Sequence, residues 1–315
     1  MNKISIIGSN ILAMLLVACG DGDSSYENSS AMNAGTGYYV DSAVEGVSYE
    51  CGIHTGVTDA EGKFVFDLNQ GCRFSLAGIT LRETNGSDML DGGKIVENNE
   101  SVARFLQSLD NDGNPNNGIQ ITSDVVDVLI GALQGAGSEG RIPIDSEVEN
   151  VITSIKNEVA SYQGRAKTAD EVNTHLANTL LNFTKESLAG KKMYRVSNEE
   201  SSTMSASIAL YELSFNQEMT SYTKIAKTGS YTENITTEFS LNGNTITLLD
   251  DSTFTFNNED KDCYNFYVAS VKSGKDTFTR YGVECFYKSY DKAKIAYDEL
   301  FNVSVGTVPN YALEN

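Results

Sequence analysis

The segment from Asp110 to Gly118 is the part of this sequence whose residue types and spacing best fit a chemical site. Carboxylate or amide side chains recur at every second position, at Asp110, Asp112, Asn114 and Asn116. Hard cations such as Ca²⁺ take about six to eight oxygen ligands, and loops with alternating Asp and Asn residues supply such ligands. The segment therefore predicts a calcium site, and Ca²⁺ is the one cofactor that the sequence suggests.

The same segment departs from an EF-hand loop at two positions. The chain has Pro115 where that loop needs a glycine, and Ile121 where it needs a bidentate glutamate. The alternative is a tight connection between two helices, in which Asp and Asn side chains accept hydrogen bonds from nearby backbone amides. Both interpretations stay open from the sequence, and calcium would make the fold more rigid rather than take part in a reaction.

No catalytic motif is found elsewhere in the chain. The GxSxG nucleophile elbow and the HExxH metalloprotease motif do not occur. The two histidines are His54, in a predicted strand or turn, and His175, beside the apolar face of a predicted helix, and both fit a structural or exposed role. Because the chain has 43 acidic residues, no glycosidase-like carboxylate pair can be singled out. We therefore predict that the protein is not an enzyme.

The five cysteines divide into one near the start and four in two local pairs. Four cysteines allow three pairings, and a chain of two domains favours Cys51–Cys72 and Cys263–Cys285. A zinc site is the competing interpretation, but no CxxC motif occurs and only two histidines are present. Disulfide bonds indicate an oxidising compartment.

The first nineteen residues have the layout of an export signal. Lys3 gives a positive start, and the mostly apolar run over 4–17 has the length of a signal-peptide core rather than of a membrane span. The run ends in LVAC, closing at Cys19, which resembles the lipobox of bacterial lipoproteins. That resemblance implies that Cys19 carries fatty-acyl chains, one of them palmitate. It also implies that the protein is anchored to the outer membrane, either at the cell surface or on the periplasmic face. The alternative is an ordinary secretory signal with an incidental cysteine.

Charge excludes one class of partner. The chain of 315 residues has a net charge of −20. A strongly acidic protein is not attracted to nucleic acid or to anionic lipid head groups. We therefore expect no nucleic-acid partner, and contact with a membrane only through the N-terminal lipid.

Changes in composition along the chain predict its organisation, and the length suits about two domains. The predicted segments are a lipoprotein signal peptide (1–18), a disordered polar tether (19–37), a small β-sandwich module (38–97), a helical subdomain (98–188), and an antiparallel β-meander domain with a C-terminal helix (189–315).

Residues 38–97 contain short runs of β-branched and aromatic residues that alternate with turns, such as TDAEG at 58–62. The stretch DSAVEGVSYECGIHTGVTDAEGKFVFDL resembles the carboxypeptidase-regulatory-like or prealbumin-like β modules, in which V-x-G-V and T-D-x-x-G-x-F mark successive strands and a hairpin. That resemblance implies a spacer or a binding unit.

Residues 98–188 are predicted to form four short amphipathic helices that pack together into one subdomain. The first has apolar residues at i, i+3, i+4 and i+7 from Val102. The last begins with Thr168 followed by Glu171, which is the spacing of a capping box.

Residues 189–315 are predicted to form a barrel-like antiparallel meander of seven strands, which lie between residues 207 and 287, and then a helix over about 290–301. The sequences LAGKKMY and TGSYTEN resemble the plan of a lipocalin barrel, although the chain contains no Trp where lipocalins often carry one. This resemblance implies a carrier of a small hydrophobic ligand.

The whole order of segments, with RFLQSLDNDGNPNNGI between the β module and the helices, resembles surface lipoproteins of Vibrio-type gammaproteobacteria. The expected fold class is α+β multidomain. The expected function is a lipid-anchored envelope or surface protein that acts as a non-enzymatic binding or adhesion module, with a glycan, a matrix component or another envelope protein as partner. The alternatives are a small hydrophobic-ligand carrier and a hydrolase with an unrecognised site.

Overall fold

In a computed structural model of the chain, the described residues are 34–201, 204–228, 234–272 and 278–306. The predicted signal peptide and the predicted lipidation site at Cys19 lie outside them. Helices and strands are both present, as the predicted fold class requires. No helix in the described part of the chain is long and apolar enough to cross a membrane.

Eight short strands come first, and seven of them, all except β2, form the two sheets of a small sandwich. The three-stranded sheet has the order β5-β1-β8, and the four-stranded sheet has the order β4-β3-β6-β7. Aromatic rings fill the space between them, with Tyr39 stacked on Phe74 at 4.6 Å between ring centroids and Phe64 edge-on to Phe74 at 4.9 Å. The strands are β1 (Ala34–Val40), β2 (Val44–Glu45), β3 (Ser48–Cys51), β4 (His54–Val57), β5 (Lys63–Asp67), β6 (Cys72–Leu76), β7 (Ile79–Glu83) and β8 (Gly93–Val96).

The first strand begins inside the segment that was predicted to be a tether. Gly35 and Gly37 in β1 lie directly over the rings of Phe66 and Phe64, where an added Cβ would come within 2.6 Å and 2.4 Å of a ring carbon. Small residues let the aromatic rings approach the backbone, so the composition that suggested a flexible linker belongs here to a strand. The prediction of disorder is therefore wrong for residues 34–37.

Both predicted cysteine pairs are joined by disulfide bonds, and each bond links neighbouring strands. Cys51 and Cys72 are register partners on β3 and β6, with their Cα atoms 4.2 Å apart. Cys263 and Cys285 lie on the last two strands of the second β domain, with Cα atoms 5.5 Å apart.

The helices between the two β domains are α1 (Glu100–Leu109), α2 (Ser123–Ala136), α3 (Asp145–Glu158) and α4 (Ala169–Leu188). The apolar stripe that begins at Val102 is buried, as predicted. However, the helices do not pack into a separate four-helix subdomain. Side chains of α1, α2 and α3 share one hydrophobic core with the sandwich. A sheet or a helix has an apolar face that it must bury against another element, and here each buries it against the other. A two-stranded parallel pair of β2 and β9 (Ile119–Gln120) strengthens this join.

The long helix α4 connects the two cores. Its predicted capping box is confirmed, since Thr168 accepts a hydrogen bond from the backbone of Glu171 and the Glu171 carboxylate accepts one from the backbone of Thr168. Val172 and Leu176 pack against Ala103 of α1 near the start of the helix. At the other end the helix reaches the core of the second β domain through Leu188.

The second β domain is a closed barrel of eight antiparallel strands. Seven strands had been predicted, and the missing strand is the one that closes the barrel by pairing with both its successor and the last strand. A helix, α5 (Tyr290–Gly306), packs outside the barrel in the predicted place. The strands are β10 (Lys192–Ser201), β11 (Met204–Phe215), β12 (Ser221–Ala226), β13 (Asn234–Asn242), β14 (Thr245–Leu248), β15 (Thr253–Glu259), β16 (Cys263–Lys272) and β17 (Phe278–Tyr287).

Candidate functional site

The predicted calcium loop uses most of its side chains to hold its own backbone. Asp112 accepts a hydrogen bond from the backbone N–H of Asn114 at 2.8 Å, and Asn114 accepts one from the side chain of Asn116 at 3.3 Å. Asn116 in turn faces His175, at 3.3 Å from Nδ1. The four predicted ligands therefore do not converge on one point: their side chains meet in two pairs, Asp110 with Asp112 and Asn114 with Asn116.

The electrostatics of this loop follow from burial. Burial raises the pKa of Asp110 to about 6, whereas hydrogen bonds from Asn117 and Asn114 hold the pKa of Asp112 below its usual value. Lys167 is almost fully buried nearby and donates to the carbonyl oxygen of Gly113 at 2.6 Å. Across the described residues, no group of three or more His, Cys, Asp or Glu side chains is placed to hold a metal.

His175 is buried at the junction of β1, α4 and the same loop. Its Nε2 lies 3.2 Å from Oγ of Ser42, 3.3 Å from the carbonyl oxygen of Asp41 and 3.5 Å from the Asp41 carboxylate. Burial lowers the pKa of His175, which favours the neutral ring. These contacts join residues more than 130 positions apart, so no local pattern in the sequence indicates them.

The arrangement of Ser42, His175 and Asp41 is not that of a catalytic triad. Acceptor oxygens face both ring nitrogens of His175, the Asp41 carbonyl at Nε2 and Oδ1 of Asn116 at Nδ1, so these contacts favour neither neutral tautomer over the other. In a triad the acid orients the opposite ring nitrogen, whereas here Asp41 and Ser42 face the same one. The cluster therefore fits a structural role.

One cavity, which we call the junction cleft, is lined by residues from three parts of the chain. It has a volume of about 330 Å³, within the range of small-molecule sites. Its walls come from the sandwich, the helix α4 and the β14–β15 side of the barrel. Polar or charged lining side chains are those of Arg82, Glu83, Thr84, Lys94, Asn98, Asn244, Asn257, Asn258 and Glu259, and apolar ones are those of Met89, Leu90, Ile95, Val96, Leu180 and Phe183.

The charges that line the cleft are balanced. Each charged side chain has an oppositely charged partner: Arg82 with Glu97, Lys94 with Glu186, Glu83 with Arg73, and Glu259 with Lys288. Glu97 is buried and also accepts a hydrogen bond from the hydroxyl of Tyr39 at 2.7 Å. A cleft of this kind favours an uncharged polar ligand over an ion.

A β-bulge presents amide groups to the cleft. The pairing of β15 with β16 shifts register between Phe256 and Asn258, so Asn257 is the extra residue and is exposed. Bulges often re-aim a side chain at a functional site. Across the cleft wall, Asn244 donates to the carbonyl oxygen of Phe256 at 2.7 Å, which fixes the adjacent turn. The amides offer both donors and acceptors.

The interior of the barrel holds a second polar feature. Arg195 donates two hydrogen bonds to the carboxylate of Glu284, at 2.7 Å and 3.1 Å. Its guanidinium lies over the rings of Phe254 and Phe286, at 5.2 Å and 5.4 Å from their centroids. The rest of the described interior is largely aromatic and apolar.

Comparison with known proteins gives no match: no protein-family model, no curated protein and no solved structure is similar to this chain. The function must therefore be argued from the cleft and the barrel themselves. The sequence could not indicate the cleft, because its walls come from segments that are about sixty or more residues apart and share no local motif.

Proposed function

We propose that this protein is a lipid-anchored envelope protein that binds an uncharged saccharide chain of a surface or matrix glycan in the junction cleft, without catalysing a reaction. The observation that carries the proposal is the cleft itself, in which amide groups and charge-paired side chains from three parts of the chain line one cavity of about 330 Å³. The anchor is proposed from the lipobox at Cys19 and the export signal before it.

The chemistry of the lining supports a saccharide. Hydroxyl groups of a sugar both donate and accept hydrogen bonds, and an asparagine side chain does the same. Three asparagines come from the barrel side of the cleft, at Asn244, Asn257 and Asn258. The apolar part of the lining includes Leu180 and Phe183, whose half-buried side chains can cover the C–H face of a sugar ring.

The proposal that binding occurs without catalysis rests on the geometry of the candidate groups. In the described residues the candidate nucleophile–base pair is Ser42 with His175, and the Asp41 carboxylate faces the same ring nitrogen as Ser42 rather than the opposite one, as the acid of a triad does. The carboxylates that line the cleft, Glu83 and Glu259, are each paired with a cation and not with each other.

A saccharide array probed with the mature protein tests the binding proposal, followed by calorimetry with the best sugar. We expect Asn257→Ala to weaken binding about tenfold, because one or two hydrogen bonds to the ligand are lost. The matched control is Asn234→Ala, an exposed asparagine at the opposite end of β13 from the cleft, and it should bind like the natural protein.

Two results would count against the saccharide proposal. One is an array on which no sugar is retained by correctly folded protein. The other is a sugar whose affinity is the same for Asn257→Ala, Asn258→Ala and the natural protein, since the site would then lie elsewhere.

The proposed anchor has its own test. Cells that express the natural chain should incorporate an alkyne-tagged fatty acid into it, and Cys19→Ser should abolish the label. Protease treatment of intact cells then separates the cell surface from the periplasmic face, because only surface-exposed protein is lost before the outer membrane is broken.

A second candidate, a carrier of a small hydrophobic ligand, is favoured by the closed barrel. Eight strands enclose a space that side chains can fill or that one small ligand can share. Here one polar pair, Arg195 with Glu284, lies among aromatic rings and could meet a polar head group. Solvent extraction of protein from its native host followed by mass spectrometry tests this: a stoichiometric lipid supports the carrier, and an empty extract opposes it.

A further inference from the structure

The carboxylate of Asp110 has an oxygen that lacks a hydrogen-bond donor. Only about 1% of this residue is exposed. Its Oδ1 accepts from the backbone N–H of Gln120 at 3.0 Å, but Oδ2 is buried and has no partner among the described residues. A buried, unsatisfied carboxylate oxygen is costly, so its presence calls for a proton, a water or a cation.

The side chain of Asp110 faces another carboxylate. Asp112 lies within hydrogen-bond reach of Asp110, and its own oxygens are oriented by Asn114 and Asn117, each at 2.8 Å. Unlike Asp110, Asp112 is exposed, so an ion can reach the pair from solvent. The buried ammonium of Lys167 compensates one of the two negative charges while it binds the carbonyl oxygen of Gly113. One negative charge remains.

We propose that a Ca²⁺ ion bridges Oδ2 of Asp110 and the carboxylate of Asp112, with water as the remaining ligands. Two carboxylates supplemented by water oxygens suit Ca²⁺, which accepts irregular and partly hydrated sites. The affinity is that of weak extracellular sites, with Kd about 0.1 to 1 mM. The ligand set is smaller than the sequence predicted because Asn114 and Asn116 bind within the loop or to His175.

The ion would strengthen a connection that several segments share. The loop leads from α1 into β9, and the backbone of Asn111 donates a hydrogen bond to the carbonyl oxygen of Gln120 and accepts one from the N–H of Gln163. Because the ion binds only the folded loop, it should raise the thermal midpoint. We expect a rise of about 3 °C in 10 mM CaCl₂ over NaCl of equal ionic strength.

A nearby tyrosine supplies a direct probe. The ring of Tyr162 lies beside Asp110, because a Cβ added at Gly164 would contact both residues. The Tyr162 hydroxyl donates a hydrogen bond to the carbonyl oxygen of Ser108. The chain has no Trp to interfere. Tb³⁺ in the calcium site should therefore emit when tyrosine is excited, and Ca²⁺ should quench this emission by displacing Tb³⁺.

Three variants make the test specific. Asp112→Asn should lose both the Tb³⁺ emission and the rise in thermal midpoint, whereas Asp127→Asn, which changes an exposed acid on α2, should keep both. Tyr162→Phe should lower the emission but keep the response to Ca²⁺. The proposal is overturned if Asp112→Asn responds to Ca²⁺ and Tb³⁺ like the natural protein, or if Ca²⁺ does nothing that NaCl does not. Saccharide binding is measured separately, so either idea can fail alone.

Discussion

Replacing Asp41 with Asn should make the protein more stable at neutral and alkaline pH. Asp41 is fully buried, and its carboxylate receives one hydrogen bond, from the side chain of Gln107 at 2.8 Å. The other oxygen has no hydrogen-bond partner in the described part of the chain, and His175 is 3.5 Å away. Burial therefore raises the pKa of Asp41 from 3.8 to about 7.

The sign of the effect follows from the raised pKa. Between pH 4 and pH 7 the unfolded chain has lost the Asp41 proton while the folded protein still holds it, so the stabilisation falls as the pH rises. It is complete below pH 4 and lost above pH 7. A difference of about three pKa units corresponds to about 4 kcal/mol at most, because one unit is worth about 1.4 kcal/mol.

His175 acts in the opposite direction. Burial lowers its pKa, so the stability that depends on its neutral ring is lost as the pH falls below about 6.5. The pH profile of the natural protein alone would therefore mix two opposing terms. Subtracting the profile of Asp41→Asn from that of the natural protein leaves the contribution of Asp41 together with its interaction with His175.

The assay is urea unfolding followed by circular dichroism at half-unit steps from pH 4 to pH 8.5. We expect the free energies of unfolding of Asp41→Asn and the natural protein to agree within about 1 kcal/mol at pH 4. They should differ by about 2 to 4 kcal/mol in favour of the variant at pH 8. The control Asp127→Asn should follow the natural protein at every pH. Parallel profiles for Asp41→Asn and the natural protein would refute the reasoning.

Three further predictions concern local structure. Thr168→Ala removes the side-chain cap of α4 and should cost about 1 kcal/mol, read as a lower thermal midpoint, and no change would contradict the cap. Glu284→Gln leaves Arg195 without its carboxylate inside the barrel and should cost about 2 to 3 kcal/mol in urea unfolding; a neutral result would mean that the ion pair is not formed. Gly62 has φ +74, and a Cβ added there would lie 2.4 Å from a backbone oxygen, whereas Gly92 has a similar φ but open space around it. Gly62→Ala should therefore lower the thermal midpoint more than Gly92→Ala does. Equal shifts would contradict this.

Features that depend on neighbours in the chain could be predicted from the sequence. The capping box at Thr168 and the apolar stripe from Val102 depend on residues three or four positions apart, which a helix brings onto one face. The cysteine pairing could be predicted because each disulfide closes a loop of little more than twenty residues between strands that are close in the chain.

The sequence patterns of two strands, β1 and β10, do not indicate a strand, because their residues are suited to tertiary contacts. Glycines in β1 made a strand resemble a linker, because their function is to let the rings of Phe64 and Phe66 approach. In β10, Arg195 stands at a position that faces the barrel interior, so the alternation of apolar and polar residues is broken. Its charge is tolerated there because Glu284 lies opposite on β17, about ninety residues later.

The sequence by itself determined the helices with the capping box of α4, most strands, the local disulfide pairing and the absence of known catalytic motifs. Tertiary structure decided that the helices and the sandwich share one core, that the barrel closes, and that Asp41 meets His175. It also made the junction cleft, whose amide from Asn257 and cation from Arg82 lie on different modules. The physical reason is distance along the chain. The spacing of residues in the sequence predicts contacts within one or two helical turns or within a hairpin, whereas contacts between distant segments form only when those segments pack together.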